Sequence, residues 1–502
     1  MASSNSSGSQ SYLKRLPRHA AFNVVGLLLP LPIGLLTFPG LIERLGVEQF
    51  GLLALVWMLI GYFSLFDLGI ARALTKAITD IDCEDYKGAA SIVSTGMTLI
   101  VMLGIVGAIL VAAIGYLTLA ANAELASTTA IDYSITVTLV AAAIPVVLAT
   151  AGWRAIFEAH HEFEIVNYLR VPIGIYNYVA PWAVTFVSTK LSASVAVIVL
   201  GRIAFLLVHR SVMILKHSSI LVPFPFDRKV AVRLVKYGGW LTVTNIVSPL
   251  LVYLDRFLVA AVLSSAAVTF YVTPYEIAAR VLVVPAALAG VLFPALTKSF
   301  VDAPESVRSI FSISTGLSFF FLLMVALAGV ALSELFFEAW LGREFVDQSS
   351  RVFQILLVGV VINGVARIPF TLIQAVGRPD LTAKLHLIEF PVYVGILVLL
   401  LTTSGIIGAA VAWVLRVMAD FIGMLYVSAK LVPSTRKSSV KICFLVFLSI
   451  PFCEYISNSE IEFHTLLLAI GFLALNAILV WFRYFDAEDR SRLKSIVHKQ
   501  YV

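Results

Sequence analysis

Arginines set deep in apolar stretches are where this sequence concentrates its chemistry. Arg202, Arg256 and Arg367 each interrupt a hydrophobic run. A charge at the centre of a membrane-spanning helix costs roughly 3 kcal/mol on insertion scales, so such residues face a bundle interior or a watery path. Arg154, Arg280 and Arg416 lie in similar runs, but each sits four residues from an acid, Glu158, Glu276 and Asp420 respectively, the spacing at which side chains meet on a helix. These pairs read either as self-neutralised bridges or as part of a polar lining. Arg202 and Arg367 have no partner at that spacing, and Arg256 has only Asp255, which points roughly 100° away around the helix. Glu389 and Asp67 stand as remote counter-charges. A guanidinium fork matches phosphate and carboxylate. Together Arg202, Arg256, Arg367, Arg280, Arg416 and Arg154 describe a cationic lumen for an anionic cargo, against the competing reading of plain bridging between helices. Asp255, Glu276, Glu389, Asp420 and Asp67 are the candidate coupling or charge-partner residues.

The elements that must position these residues are long apolar helices. Residues 238–300 read as two of them joined by a turn at Ser264 and Ser265. The first, at 240–262, is long enough to cross roughly 30 Å of hydrocarbon at about 1.5 Å per residue. A chain of 502 residues that is 60% hydrophobic and 13% charged, with mean hydropathy +0.96, cannot hide its apolar residues in one soluble core. The fold class is therefore an all-α polytopic membrane protein with about fourteen transmembrane helices. The net charge of +6 and pI near 9.1 reflect Lys and Arg confined to cytoplasmic loops rather than a nucleic-acid partner. Cys83, Cys443 and Cys453 have no metal-ligand spacing and imply no disulfide framework.

In order, the chain divides into a cytoplasmic N-terminal tail (1–20, with no signal-peptide cleavage pattern), an N-lobe of spans one to six (21–216) and an amphipathic cytoplasmic linker (217–237). A C-lobe of spans seven to twelve (238–431), spans thirteen and fourteen (432–484) and a basic cytoplasmic C-terminal tail (485–502) follow. Span one carries Pro30, Pro32 and Pro39 with Gly34 and Gly40, a density of breakers that a spanning helix tolerates only with help from neighbours or water. Loops after even-numbered spans hold most of the Lys and Arg, which places both termini in the cytoplasm. The halves repeat. Ala73-Leu74-Thr75-Lys76 returns as Ala295-Leu296-Thr297-Lys298, and Arg202 with Lys216 parallels Arg416 with Lys430. A parallel repeat of this kind expects two six-helix lobes around a central cavity, plus two extra C-terminal helices.

Signals of enzyme chemistry are few, and no cofactor, metal or catalytic residue is expected. Asp80-Ile81-Asp82 matches a metal-holding DxD but lies in a short loop with no α/β domain around it. The run His160-His161-Glu162-Phe163-Glu164 lacks HExxH spacing. There is no nucleophile elbow, Walker loop or GxGxxG following a strand. Aromatics such as Tyr176, Trp182, Tyr271, Tyr275, Tyr393 and Trp413 suit sugar stacking or, more blandly, packing and the interfacial belt.

Several stretches resemble the Wzx-type oligosaccharide flippases of the multidrug/oligosaccharidyl-lipid/polysaccharide exporter superfamily. They are Trp240 followed by Tyr253, Asp255, Arg256 and Phe257; Tyr271, Pro274 and Phe293-Pro294; the FDLGIARALTK run from Phe66 to Lys76; and the LIQAVGRP run from Leu372 to Pro379. The resemblance implies a two-lobed transporter alternating between inward-open and outward-open states in the bacterial inner membrane. Its cargo would be an undecaprenyl-diphosphate-linked oligosaccharide, flipped from the cytoplasmic to the periplasmic leaflet for O-antigen, capsule or exopolysaccharide assembly. A polysaccharide polymerase and a chain-length regulator are the implied partners. The alternatives are a cation-coupled multidrug exporter of the same superfamily, kept open by Asp255 and Glu276, and a membrane glycosyltransferase or polymerase.

Overall fold

The computed structural model of the chain describes residues 30–63, 69–81, 85–121, 127–160, 162–218, 225–458 and 463–500. The described residues are overwhelmingly helical, and the chain separates into two compact units, Met1–Tyr253 and Leu254–Val502.

The first unit contains α1 (Pro30–Leu45), α2 (Val47–Phe63), α3 (Ile70–Thr79), α4 (Tyr86–Ala121), α5 (Ser127–Ala159), α6 (Phe163–Val184), α7 (Leu191–His217) and most of α8 (Arg228–Val262). The prolines of span one do not break α1, which runs on past Pro39. Its glycines serve close approach instead: a Cβ on Gly40 would stand 2.5 Å from Trp182 Nε1 of α6, and one on Gly34 3.3 Å from the ring of Tyr178. The same device sets α4 against α5. A Cβ on Gly104 would lie 2.7 Å from Pro145 Cα, and one on Gly115 2.6 Å from Val137, so the two helices run antiparallel at backbone contact.

The outward side of α4 carries Met102, Ile105, Val106 and Ile109, all exposed. Only 17% of this helix's most apolar window is buried. An uncovered stripe of that kind at helical spacing belongs against lipid. Nine helices among the described residues are long and apolar enough to cross a membrane.

Helix extends into two of the connections between the expected spans. After Gly69, whose φ of 70° fits glycine, the segment holding Arg72 and Lys76 winds into α3, because Ile70, Ala73, Leu74 and Ile78 form one buried face. The Thr75 hydroxyl ties it to α5 through a 3.0 Å hydrogen bond to the Ala155 carbonyl. The second half of the expected 217–237 linker is the start of α8, which runs unbroken from Arg228 to Val262. Asp227 Oδ1 accepts from the backbone N–H groups of Lys229 and Val230 and nucleates that helix.

Glu162, from the run that lacks HExxH spacing, clamps the start of α6 to the end of α7. Lys216 Nζ donates to one carboxylate oxygen at 3.1 Å, and His217 Nε2 lies 3.2 Å from the other. Burial pushes this carboxyl up, but the hydrogen bonds from His217 and Lys216 outweigh it and hold Glu162 below the usual glutamate range.

The second unit continues with α9 (Ser265–Arg280), α10 (Val283–Asp302), α11 (Pro304–Ala331), α12 (Ser333–Leu341), α13 (Arg343–Ala375), α14 (Pro379–Leu431), α15 (Arg436–Ser457), α16 (Phe463–Leu479) and α17 (Ala487–Gln500). The Ser264 hydroxyl caps α9 by accepting from Ala267 N at 3.1 Å. The expected span eight is broken into α9 and α10 at Val281–Leu282.

Helix α14 is a hairpin. Gly405 has φ 59° and ψ −143°, and residues on either side of it come together: Gly408 against the Leu400 carbonyl and Gly423 against the Leu385 side chain. The limbs are the expected spans eleven and twelve. In the centre of the unit, α13 packs against α9, α10, α11, α12 and α14, and 72% of its most apolar window is buried.

Two outcomes follow. A Cβ on Gly405 meets no atom within 4 Å, so Gly405→Ala adds only backbone strain, on the order of 1–3 kcal/mol. It should lower the apparent Tm of the detergent-solubilised protein without blocking membrane insertion. Because folding depresses the Glu162 pKa, the clamp's stabilisation is present above the unfolded glutamate value of about 4.3 and is lost as pH falls below it. The fall in Tm between pH 6 and pH 4 should therefore be smaller for Glu162→Gln than for the wild type.

Candidate functional site

Four charges alternate where α8 meets α9. Asp255 is fully buried and its carboxylate accepts from Tyr271 Oη at 2.7 Å and from the Arg256 backbone N–H at 2.9 Å. Arg256 is 1% exposed. Its guanidinium lies 4.1 Å from the Tyr275 ring centroid, and its Nη2 is 3.7 Å from Glu276 Oε1. The other oxygen of Glu276 accepts from Arg280 Nη2 at 2.6 Å.

Helical spacing explains the arrangement. Tyr271, Tyr275 and Glu276 recur at four- and five-residue steps on α9, so hydroxyl, ring and carboxylate follow one another along the helix facing α8. Trp413, on the second limb of α14, closes the aromatic wall by an edge contact with Tyr275 at 5.5 Å. The expectation that Arg256 lacks a counter-charge is corrected: Glu276, twenty residues away in sequence, bridges it to Arg280.

The remaining arginines stand differently. On α13, the residues not fully buried between Phe353 and Ala375 are Ile355, Val358, Asn363, Arg367, Phe370 and Gln374, a single stripe at helical spacing, and Arg367 is the most open of them. A stripe facing lipid would be apolar throughout. This one presents an amide, a guanidinium and a second amide, the signature of a water-facing surface within the membrane.

Arg416, half-buried on α14, lies 5.7 Å from the Tyr393 ring centroid, and its Nε has no hydrogen-bond partner. The pairing expected of Arg416 with Asp420 is replaced: Asp420 Oδ1 sits 3.3 Å from His386 Nε2 on the facing limb. Glu389, one turn beyond His386, is 8% exposed, and neither of its oxygens has a hydrogen-bond partner.

In the first unit Arg154 pairs with Glu158 at 3.6 Å, as its spacing implied, with both side chains well exposed. Arg202 Nη2 reaches Asn177 Oδ1 at 3.4 Å while its Nε has no partner. Asp67 lies outside the described residues, as do Asp82 and Cys83 of the acidic turn. His386 is the functional candidate the sequence analysis missed; the signal was its position three residues before Glu389, on the same helix face.

The family described as "Polysaccharide biosynthesis protein" matches residues 17–300, more than half of the chain. A Shigella flexneri protein named "Putative O-antigen transporter" is 30% identical over 410 residues, spanning 80% of this chain and 95% of that protein. The chain belongs to the polysaccharide biosynthesis protein family.

Two solved structures share its fold. An inward-facing MATE-family multidrug resistance transporter of the MOP superfamily matches with TM-score 0.67 at 15% identity, over 82% of this chain and 99% of that one. The lipid II flippase MurJ, inward closed, matches with TM-score 0.64 at 14% identity, over 94% and 99%. At such identities the likeness is one of fold. This family member is a multi-pass helical membrane protein that shares the fold of those two structures.

Arg256 and the open arginines should separate by experiment. Arg256→Ala keeps the backbone N–H that Asp255 accepts from but removes the buried cation beside it and one of the two partners of Glu276, and should destabilise the protein by about 1–3 kcal/mol, read as a drop in Tm and in membrane yield. Arg367→Ala removes an accessible charge and should leave both unchanged.

Proposed function

We propose that the protein is a flippase that moves an undecaprenyl-diphosphate-linked oligosaccharide repeat unit from the cytoplasmic to the periplasmic leaflet of the bacterial inner membrane, for O-antigen, capsule or exopolysaccharide assembly. The observation that carries the reading is the polar stripe of α13. Arg367 stands exposed on a helix that neighbours otherwise enclose, as a cargo-lining side chain must. Family membership and the name of the Shigella relative support a polysaccharide pathway.

The diphosphate is the part of such a cargo that a guanidinium fork recognises best. Among the candidate lumen arginines, Arg367, Arg416 and Arg280 are the accessible or half-buried ones of the second unit, and Arg202 is their counterpart in the first. Arg256 has a different part: paired with Glu276 and covered by Tyr275, it holds Glu276 in place and so orients Arg280. The glycan would use aromatic and amide edges, among them Phe370, Asn363 and Gln374. Both termini would lie in the cytoplasm, a reading that the distribution of Lys and Arg over the loops supports, and a polymerase and a chain-length regulator would act on the delivered unit.

The experiment is complementation. In a strain deleted for the gene, Arg367→Ala and Arg416→Ala should each reach the membrane at wild-type level and fail to restore surface polysaccharide, whereas Arg367→Lys restores it partly. Full restoration by the Arg367→Ala, Arg416→Ala double variant would overturn the assignment.

A further inference from the structure

We propose that His386, Glu389 and Asp420 form a binding site for a divalent transition metal of the zinc class. The site is independent of the cargo reading. One ligand atom from each residue, an imidazole nitrogen and two carboxylate oxygens, lies within 4.8 Å of the others. His386 and Glu389 project from one face of the first limb of α14, three residues apart, and Asp420 projects from the second limb. The ligands therefore reach across the hairpin that Gly405 closes. Three protein ligands with a fourth position left for water or a solute is the pattern of an open zinc site.

The distances suit such an ion. Bonds of about 2.0–2.2 Å put neighbouring ligand atoms roughly 3.3 Å apart, and His386 Nε2 and Asp420 Oδ1 are already separated by 3.3 Å. The Glu389 oxygen, within 4.8 Å of both, would have to close to about the same spacing.

Glu389 supplies the independent observation. Its side chain is 8% exposed, and neither carboxylate oxygen accepts a hydrogen bond. Asp420 Oδ1 has His386 Nε2 3.3 Å away but accepts no hydrogen bond either. A buried carboxylate without a partner is among the costliest groups a protein can hold, and a dication shared by Glu389 and Asp420 would neutralise both.

Arginines are the competing counter-charges. Arg416, however, lies near the Tyr393 ring and Arg367 lies 6.0 Å from the Phe370 ring centroid, and neither donates a hydrogen bond to these carboxylates. The imidazole favours zinc and its neighbours in the first transition series over magnesium or calcium, which take oxygen donors. His386 and Asp420 are 21% and 17% exposed, which leaves the ion a way in. Once bound, the metal would fasten the two limbs of α14 together beside the open stripe of α13.

The test uses the full-length protein, purified without a histidine tag, stripped with a chelator and titrated with zinc against a chromophoric competitor. Expected are one tight zinc per chain, a zinc-dependent rise in Tm, and no displacement by excess magnesium. Glu389→Gln keeps the side chain's shape and removes a buried charge, so it should fold; His386→Gln provides a second, separately folded variant. Either should weaken zinc binding about tenfold or more and abolish the rise in Tm while keeping the zinc-free Tm. No tight zinc in the wild type, or tight zinc retained by both variants, overturns the proposal.

Discussion

A charge placed in hydrocarbon has to be neutralised by something within reach, and the second unit is built around that requirement. Asp255, Arg256, Glu276 and Arg280 follow one another with alternating sign along the contact between α8 and α9. The Tyr271 hydroxyl satisfies the first carboxylate, and the Tyr275 ring covers the first guanidinium. Glu276 is shared between Arg256 and Arg280, so removing it strands the buried Arg256 guanidinium, and an unpaired buried ion costs more than the pair contributes. The network therefore fixes how α9 sits on α8 before any question of cargo arises.

The same constraint distinguishes two kinds of arginine that look alike on paper. Arg256 is spent inside the unit, whereas Arg367 is left facing outward from a helix that α9, α10, α11, α12 and α14 surround. Packing makes the difference. A helix enclosed on most sides has few directions in which to offer a polar side chain, and α13 uses its one open stripe for Asn363, Arg367 and Gln374. Against the apolar stripe of α4, where Met102, Ile105, Val106 and Ile109 meet lipid, the contrast identifies a surface meant for something charged or hydrated.

Much of this was legible in the sequence, and the exceptions have physical reasons. The apolar stretches gave the helices because length and hydropathy are local properties, and spans eleven and twelve emerged correctly although only Gly405 separates them. The loop holding Arg72 turned out helical because a buried face two turns long is too short a signal to outweigh its charges. Pairings along one helix were read well for Arg154 with Glu158 and for Glu276 with Arg280. Pairings between helices were not: Glu276 to Arg256 and Asp420 to His386 depend on which way a neighbouring helix faces, which periodicity within either helix does not contain. For the same reason the openness of Arg367 could be expected from its lack of a local acid, while the enclosure of Arg256 could not.

Direct binding examines the central claim most closely. Purified wild type and the Arg367→Gln, Arg416→Gln double variant, each in lipid nanodiscs, would be titrated with undecaprenyl diphosphate and with the uncharged alcohol undecaprenol. Two charge-assisted contacts of about 1.5–3 kcal/mol each correspond to a loss of roughly a hundredfold or more in diphosphate affinity in the variant, with no change for undecaprenol. Equal affinity of both proteins for the diphosphate would contradict an arginine-lined path for the cargo.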